Sequence, residues 1–269
     1  MTPIRRTLDE LQTRLHPRLL AALGSVAISL KRRERCHVQF RGGNWIHRYP
    51  TGTIVRPALG GASARLTDYT TSETFLCHYR PRPGDTIVDL GAGFGSEVRL
   101  LSRLAGPAGR VISVEAHPRT FSCLEQTIAL NRLGNVTAVQ CAVHSRRGTV
   151  FLEDTADYNT NCLTTGSGIP VPARPLAFLV ERFRLHSIDL LKMNIEGAEL
   201  AVLDGARELL PRVRNLVVSC HDFRADNGGA AWQRTFEKVR ALLTEAGYEV
   251  HTRPHDPRPW IPYYLYAGR

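Results

Sequence analysis

Thr86-Ile87-Val88-Asp89-Leu90-Gly91-Ala92-Gly93-Phe94-Gly95 is the stretch that decides the fold. Apart from Asp89, its first five residues are β-branched or apolar, the composition of a short buried strand. Gly91, Gly93 and Gly95 then permit a sharp turn and a close backbone approach. Apolar residues at 98, 100, 101 and 104 follow with helical spacing until Gly106-Pro107 stops them. A strand that runs through a Gly-rich turn into a helix is the opening unit of a parallel α/β sheet, and the free N–H groups of that helix face any ligand held by the turn.

The same alternation continues outward from this stretch. Pro81-Arg82-Pro83-Gly84-Asp85 is a turn on its upstream side. Downstream, the pattern predicts strands over 110–115, 136–143, 188–195 and 215–221, with helices over 118–132, 198–210 and 230–246. Segments 248–253 and 260–266 read as two further strands across a Pro-rich turn. The implied fold is a doubly wound, mostly parallel seven-stranded, Rossmann-like α/β sheet. Its last two strands have no helix between them and so form an antiparallel edge pair. Residues 73–269 make this core domain. Residues 1–72 are a basic leader packed on it, with a helix over 5–30 and short extended pieces at 38–41 and 53–56. Residues 145–187 are turn-rich and carry Gly148, Gly166, Gly168, Pro170, Pro172 and Pro175.

The chain has 269 residues and a net charge of +10, a balance that suits nucleic acid, an anionic membrane or an acidic substrate. Of its 35 basic residues only Lys31, Lys192 and Lys238 are lysines, so the bias toward Arg is partly compositional. The first apolar run, Leu19 to Leu30, is 12 residues long, well below the roughly 20 needed to cross a bilayer. Lys31-Arg32-Arg33-Glu34-Arg35 follows it in place of a small-residue cleavage site, which argues against a secretory signal. Two readings of the run stand: a helix packed on the domain, or an Arg-flanked amphipathic helix in peripheral contact with anionic lipid. Cys36, Cys77, Cys123, Cys141, Cys162 and Cys220 include no C-x-x-C pair and read as reduced thiols of a cytoplasmic, or membrane-associated, protein.

The glycine spacing separates two cofactor classes. A dinucleotide fingerprint needs G-x-G-x-x-G/A, whereas here the order is G-x-G-x-G with Ser96 in the last position. Asp89, two residues before the first glycine, would repel a pyrophosphate but suits a cationic amino acid-like tail. Glu115 closes the next strand, where its carboxylate would accept from ribose hydroxyls. The cofactor with a ribose, an adenine and a cationic methionyl group is S-adenosylmethionine. Asp89, Gly91, Ala92, Gly93, Gly95 and Glu115 are therefore the candidate cofactor-binding residues, with the backbone near Ala142 and Val143 placed against the adenine.

These motifs resemble the FkbM-type methyltransferases of the class I S-adenosylmethionine-dependent fold. The resemblance covers roughly residues 73–222. It rests on Glu73, on Pro83-Gly84-Asp85 leading into Asp89–Gly95, on Glu115 with Pro118, on Asn131, and on Ile188-Asp189-Leu190-Leu191-Lys192-Met193-Asn194-Ile195-Glu196-Gly197-Ala198-Glu199. It implies O-methylation of a hydroxyl on a sugar, glycolipid or other natural product, and it adds Glu73 and Asn194 to the cofactor-side residues. Two departures stand out: Asn194 where the family usually has Asp, and Ala116-His117-Pro118 in place of Pro-Asn-Pro.

Methyl transfer is an in-line displacement in which positioning dominates, and a hydroxyl acceptor also needs its proton removed by a base or a metal. The strand ends that should flank the methyl offer Asn194, Glu196, His221 and Asp222. His221 has the intrinsic pKa of a general base, or is a hydrogen-bonded rim residue. Glu196 could accept from the acceptor hydroxyl, bind a divalent cation such as Mg with His221 or Asp222, or cap the following helix. Lys192 would stabilise developing charge if it reaches the crevice, or snorkel to the sheet edge. Two other readings compete. One is an RNA or DNA methyltransferase, weakened by the lack of an aromatic platform for a flipped base. The other is a non-catalytic module that binds membrane or nucleic acid through residues 1–50, weakened by the intact glycine loop. A small-molecule, glycan or glycolipid acceptor is the expected partner, and the oligomeric state leaves no sequence trace.

Overall fold

Residues 15–155, 163–164 and 168–269 are described by a computed structural model, so the predicted helix over 5–30 is seen only from Leu15 onward, and Cys162 and Gly166 lie outside the described residues. Helix α1 (Pro17–Arg32) leads into strands β1 (His37–Arg41), β2 (Asn44–Tyr49) and β3 (Gly52–Arg56), followed by α2 (Ala64–Phe75). The core opens with β4 (Thr86–Leu90), α3 (Val98–Ala105), β5 (Arg110–Glu115), α4 (Pro118–Asn131) and β6 (Val136–Gln140). Strands β7 (Ala142–Val143), β8 (Gly148–Leu152), β9 (Leu163–Thr164) and β10 (Ile169–Arg174) come next, then α5 (Leu176–Arg182) and β11 (Ile188–Met193). Helix α6 (Glu199–Asp204), β12 (Val213–Ser219), α7 (Asp222–Asp226), α8 (Phe236–Glu245), β13 (Glu249–His251) and β14 (Tyr264–Gly268) complete the chain.

The main sheet has seven strands in the order β13-β14-β12-β11-β4-β5-β6. The four inner pairings from β12 to β6 are parallel, and β14 runs antiparallel to both β12 and β13. β11 sits at the centre because all six of its residues are buried, Asp189 and Lys192 included. Its apolar neighbours Leu191 and Met193 pack with Val88, Leu90, Val114 and Val218 into the largest core cluster. Strands buried on both faces must be apolar along their whole length, which is what these segments show.

Three boundaries differ from the sequence pattern for identifiable reasons. The strand expected over 136–143 breaks at Cys141, since β6 pairs with β5 while Ala142 and Val143 turn away to pair with β10. The helix expected over 198–210 ends at Asp204, and Arg207–Arg212 continues as a 3₁₀ helix that accommodates Pro211. The helix expected over 230–246 starts at Phe236, because the Asp222 carboxylate accepts from the N–H groups of Thr235 at 2.9 Å and Phe236 at 3.0 Å. Within the turn-rich stretch, β7, β10, β8 and β9 form a second, four-stranded sheet.

In the leader, Gly42 and Gly43 both take positive φ, 59° and 77°, and turn β1 back onto β2 in a hairpin. β1–β3 form a separate antiparallel sheet that docks on α4. Asn131 accepts from Thr53 N at 2.9 Å and donates to Thr53 O at 2.7 Å, and the Thr127 hydroxyl accepts from Val55 N at 3.1 Å. These side chains replace the next strand that the β3 edge would otherwise need.

Candidate functional site

A cavity of about 300 Å³ lies at the carboxyl ends of β4, β5 and β11. Its floor is the turn Gly91-Ala92-Gly93-Phe94, and its sides come from Glu115–His117, from Cys141–Val143 and from Asn194–Glu196. Chain geometry makes the turn. Gly91 N and Ala92 N both donate to Val114 O at 2.9 Å, which binds the turn to the neighbouring strand. Gly91 has φ +74°, and a Cβ there would overlap Asn194 O, so the loop touches the chain just past β11 backbone to backbone. Gly93, at φ +56°, has nothing within 4 Å of its missing Cβ and presents bare backbone to the cavity. Gly95 serves packing and does not line the cavity: its Cβ position is 2.9 Å from Leu124.

Glu115 stands where ribose recognition was expected. Its Oε2 accepts from Gly93 N at 2.8 Å, and its Oε1 accepts from His117 N and the Thr120 hydroxyl, each at 2.8 Å. The carboxylate is thereby locked at the edge of the loop, with acceptor capacity left over for a diol. Ala142 and Asn194 also line the cavity, as do Ala92 and Val143.

Asp89 does not face the cavity. Its side chain is fully buried, and the cation beside it belongs to the chain itself: Lys192 Nζ lies 2.9 Å from Asp89 Oδ1 and donates to Gly91 O at 2.8 Å. Register compels the pair, because Lys192 and Asp89 are directly opposite in the β11–β4 ladder. Burial works against the Lys192 charge, yet Asp89 and Glu97 hold its pKa above the ordinary value. Lys192 is therefore a structural cation beneath the turn. It neither snorkels to the sheet edge nor lines the cavity. Glu97, at the start of α3, lines the cavity beside the glycine turn. Burial, with Asp89 adding and Lys192 opposing, raises its carboxyl above the usual range, and a cation beside it would favour the ionised form. Sequence reasoning passed over Glu97, although an acid in the first turn after a glycine loop is a readable signal. Glu73 is exposed on α2 and does not line the cavity.

The other rim is a charged clamp. His221 Nδ1 lies 2.8 Å from Glu199 Oε1, and its Nε2 lies 3.3 Å from Glu196 Oε2. Glu199 Oε1 also accepts from Gly197 N at 3.1 Å. Burial disfavours the imidazolium, but Glu199 and Glu196 outweigh it and raise the His221 pKa to about 10. His221 thus favours the imidazolium, has both nitrogens engaged by carboxylates and does not line the cavity, so the strand-end base expected there is held in a clamp. Asp222 is likewise occupied, as the cap of α8. Among the described residues no group of three or more His, Cys, Asp or Glu is arranged to hold a metal ion, and the expected set of Glu196, His221 and Asp222 does not converge. Glu196 itself lines the cavity in the left-handed region at φ +59°, unusual for a residue with a side chain, and pairs with Arg224 at 2.8 Å. Glu199, read from sequence only as the end of the strand-to-helix motif, is what fixes the clamp.

The cavity therefore joins an acid suited to a cation, a carboxylate suited to a diol, and the apolar walls of Val114, Val143 and Leu152 for a flat ring. Those features fit the methionyl, ribose and adenine parts of S-adenosylmethionine. Comparison with known proteins agrees. The family model described as the methyltransferase FkbM domain matches residues 89–250. "Methyltransferase 1" of Beauveria bassiana is 26% identical over 208 residues, which cover 68% of this chain and 78% of that protein. The methyltransferase sdnD of Sordaria araneosa is 27% identical over 217 residues, covering 65% of this chain and 77% of its own. The crystal structure of methyltransferase FkbM from Methylobacillus flagellatus superposes with a TM-score of 0.50 at 19% identity, over 71% of this chain. This chain spans 45% of the length of that one.

Proposed function

Given that the chain belongs to the FkbM methyltransferase family and is an S-adenosylmethionine-dependent methyltransferase, we propose that it methylates a hydroxyl oxygen of a sugar, glycolipid or secondary metabolite. The observation that carries this reading is the placement of Glu196. Its contacts with His221 and Arg224 both fall on Oε2, which leaves Oε1 to accept from a hydroxyl in the cavity. Glu196 and the adjoining Gly197 both take positive φ, 59° and 106°, and Glu196 lines the cavity at this turn.

S-adenosylmethionine, when bound, supplies an electrophilic methyl group on a sulfonium. Glu97 would sit against its cationic amino acid portion, Glu115 would accept from the ribose hydroxyls, and the Ala142–Val143 backbone would border the adenine. Glu196 would orient the acceptor hydroxyl and take its proton as the O–CH₃ bond forms. The imidazolium of His221 and the guanidinium of Arg224 would hold Glu196 in place rather than exchange protons themselves.

Incubation with isotopically labelled methyl donor and cell extract, followed by separation of lipid, oligosaccharide, small-molecule and nucleic-acid fractions, tests this function. Label in a base-stable methyl ether outside the nucleic-acid fraction is expected. Label confined to nucleic acid, or found as N-methyl groups, would overturn it. Glu196→Gln should lower kcat roughly a hundredfold or more, within the range of general-base removal, while donor affinity stays unchanged.

A further inference from the structure

Helix α1 has two apolar faces, and only one of them is buried among the described residues. Leu20, Ala21, Gly24 and Ile28 are buried against the leader sheet, in a cluster with Trp45, Tyr49 and Ile54. Gly24 lets the helix seat closely, since a Cβ there would lie 3.0 Å from Leu59. That seating fixes which side points outward. The outward stripe is Leu19, Leu23, Val26 and Leu30, spaced four, three and four residues apart and exposed by 49, 54, 61 and 75%. Ala22 and Ala27 are exposed beside it. Exposed large aliphatics scattered singly need no explanation, but four in line on one helix do.

The charges around the stripe select the partner. The sequence of α1, PRLLAALGSVAISLKR, contains no acid. Exposed Arg18 lies at one end, and exposed Lys31, Arg33 and Arg35 lie at the other. An apolar stripe flanked by the exposed cations Arg18, Lys31, Arg33 and Arg35, with Glu34 beside them, complements an anionic lipid surface, where phosphates meet the ammonium and guanidinium groups and the aliphatic side chains enter the acyl boundary. No helix among the described residues is long and apolar enough to cross a membrane, so the contact is one of lying on the surface. We propose that the outer face of α1 docks this protein peripherally on anionic bilayers, with Leu19, Leu23, Val26 and Leu30 inserted and Arg18, Lys31, Arg33 and Arg35 at the headgroups. This proposal is independent of which acceptor is methylated.

Co-sedimentation of the full chain with vesicles tests it, using phosphatidylcholine alone and phosphatidylcholine mixed with phosphatidylglycerol. Binding to the mixed vesicles only is expected, weakening as salt is raised. Leu23→Glu with Val26→Glu should reduce that binding at least roughly tenfold, because both insertions are lost. Lys31→Gln with Arg35→Gln removes two cations and should cost roughly fivefold for each. All four positions are exposed, so thermal melting and donor binding by calorimetry should match the parent chain. Failure to bind either vesicle, or unchanged binding by the Leu23/Val26 variant, overturns the proposal. So does a dimer in light scattering that the same substitutions convert to monomer without any vesicle binding, since the occupant would then be a second copy.

Discussion

Substituting His221 by Gln separates a clamp from a general base. In the structure the imidazole is 3% exposed and lies between Glu199, which is fully buried, and Glu196. Removing the cation leaves the Glu199 carboxylate buried with only Gly197 N and the Thr235 hydroxyl near it, at 3.1 Å and 3.5 Å. Breaking one side of a buried pair costs about 3–5 kcal/mol. The pH dependence carries a second signature. His221 is raised in the folded chain from 6.5 to about 10, so its contribution is fully present below pH 6.5 and is lost as pH rises toward 10. Between about pH 7 and about pH 8.5 the wild-type chain should lose ~2 kcal/mol that the variant does not lose. Urea unfolding of both chains across that window measures the difference, and stays below the range where buried thiols dominate. Parallel stability curves for the two chains would refute the clamp. A kcat profile with an inflection near pH 6.5 that disappears in His221→Gln would instead restore His221 as the base.

Three further outcomes follow from the same geometry. Gly91→Ala should be destabilised beyond ~3 kcal/mol, because its methyl would meet the Asn194 carbonyl, whereas Gly93→Ala meets nothing and should cost only ~1–2 kcal/mol of backbone strain while weakening donor binding; paired melts and calorimetry check both. Affinity for S-adenosylmethionine should rise with pH through the raised pKa of Glu97, since a cation favours the ionised acid, and Glu97→Gln should bind more weakly and flatten that dependence in calorimetry. Asn131→Ala removes both bonds to Thr53 and should lower stability by ~1–3 kcal/mol, a melting shift of roughly 2–4 °C per kcal/mol.

Much of the fold was legible because its strands are short, β-branched and separated by glycine and proline stops. The antiparallel C-terminal edge followed from the missing helix between the last two strands, and the structure shows it as β13 and β14. What was not legible depended on contacts between distant segments. Nothing local in Val136–Val143 says that it will serve two sheets, since the break at Cys141 exists only because β10 arrives to pair with Ala142. Helix α8 begins at Phe236 rather than near residue 230 because its cap, Asp222, lies 14 residues away in sequence.

The site divides along the same line. Gly91, Gly93 and Glu115 were readable, since their requirements are local: a positive φ, an open backbone, an acid at a strand end. Asp89 and His221 were readable as important but not in role, because a carboxylate or an imidazole takes its role from the charge that meets it. Asp89 meets Lys192, 103 residues on, through the register of β11 against β4. His221 meets Glu199 and Glu196 from the neighbouring strand end. In each case a charged group that sequence offers to the ligand is neutralised by the chain, and a neighbouring acid is left facing the cavity: Glu97 on the cofactor side, Glu196 on the acceptor side. Internal pairing thus relocates the ligand-facing charge without removing it. Glu97 and Glu196, which line the cavity together with Glu115, rather than the buried Asp89 and His221, are where substitution should alter binding and turnover separately from stability.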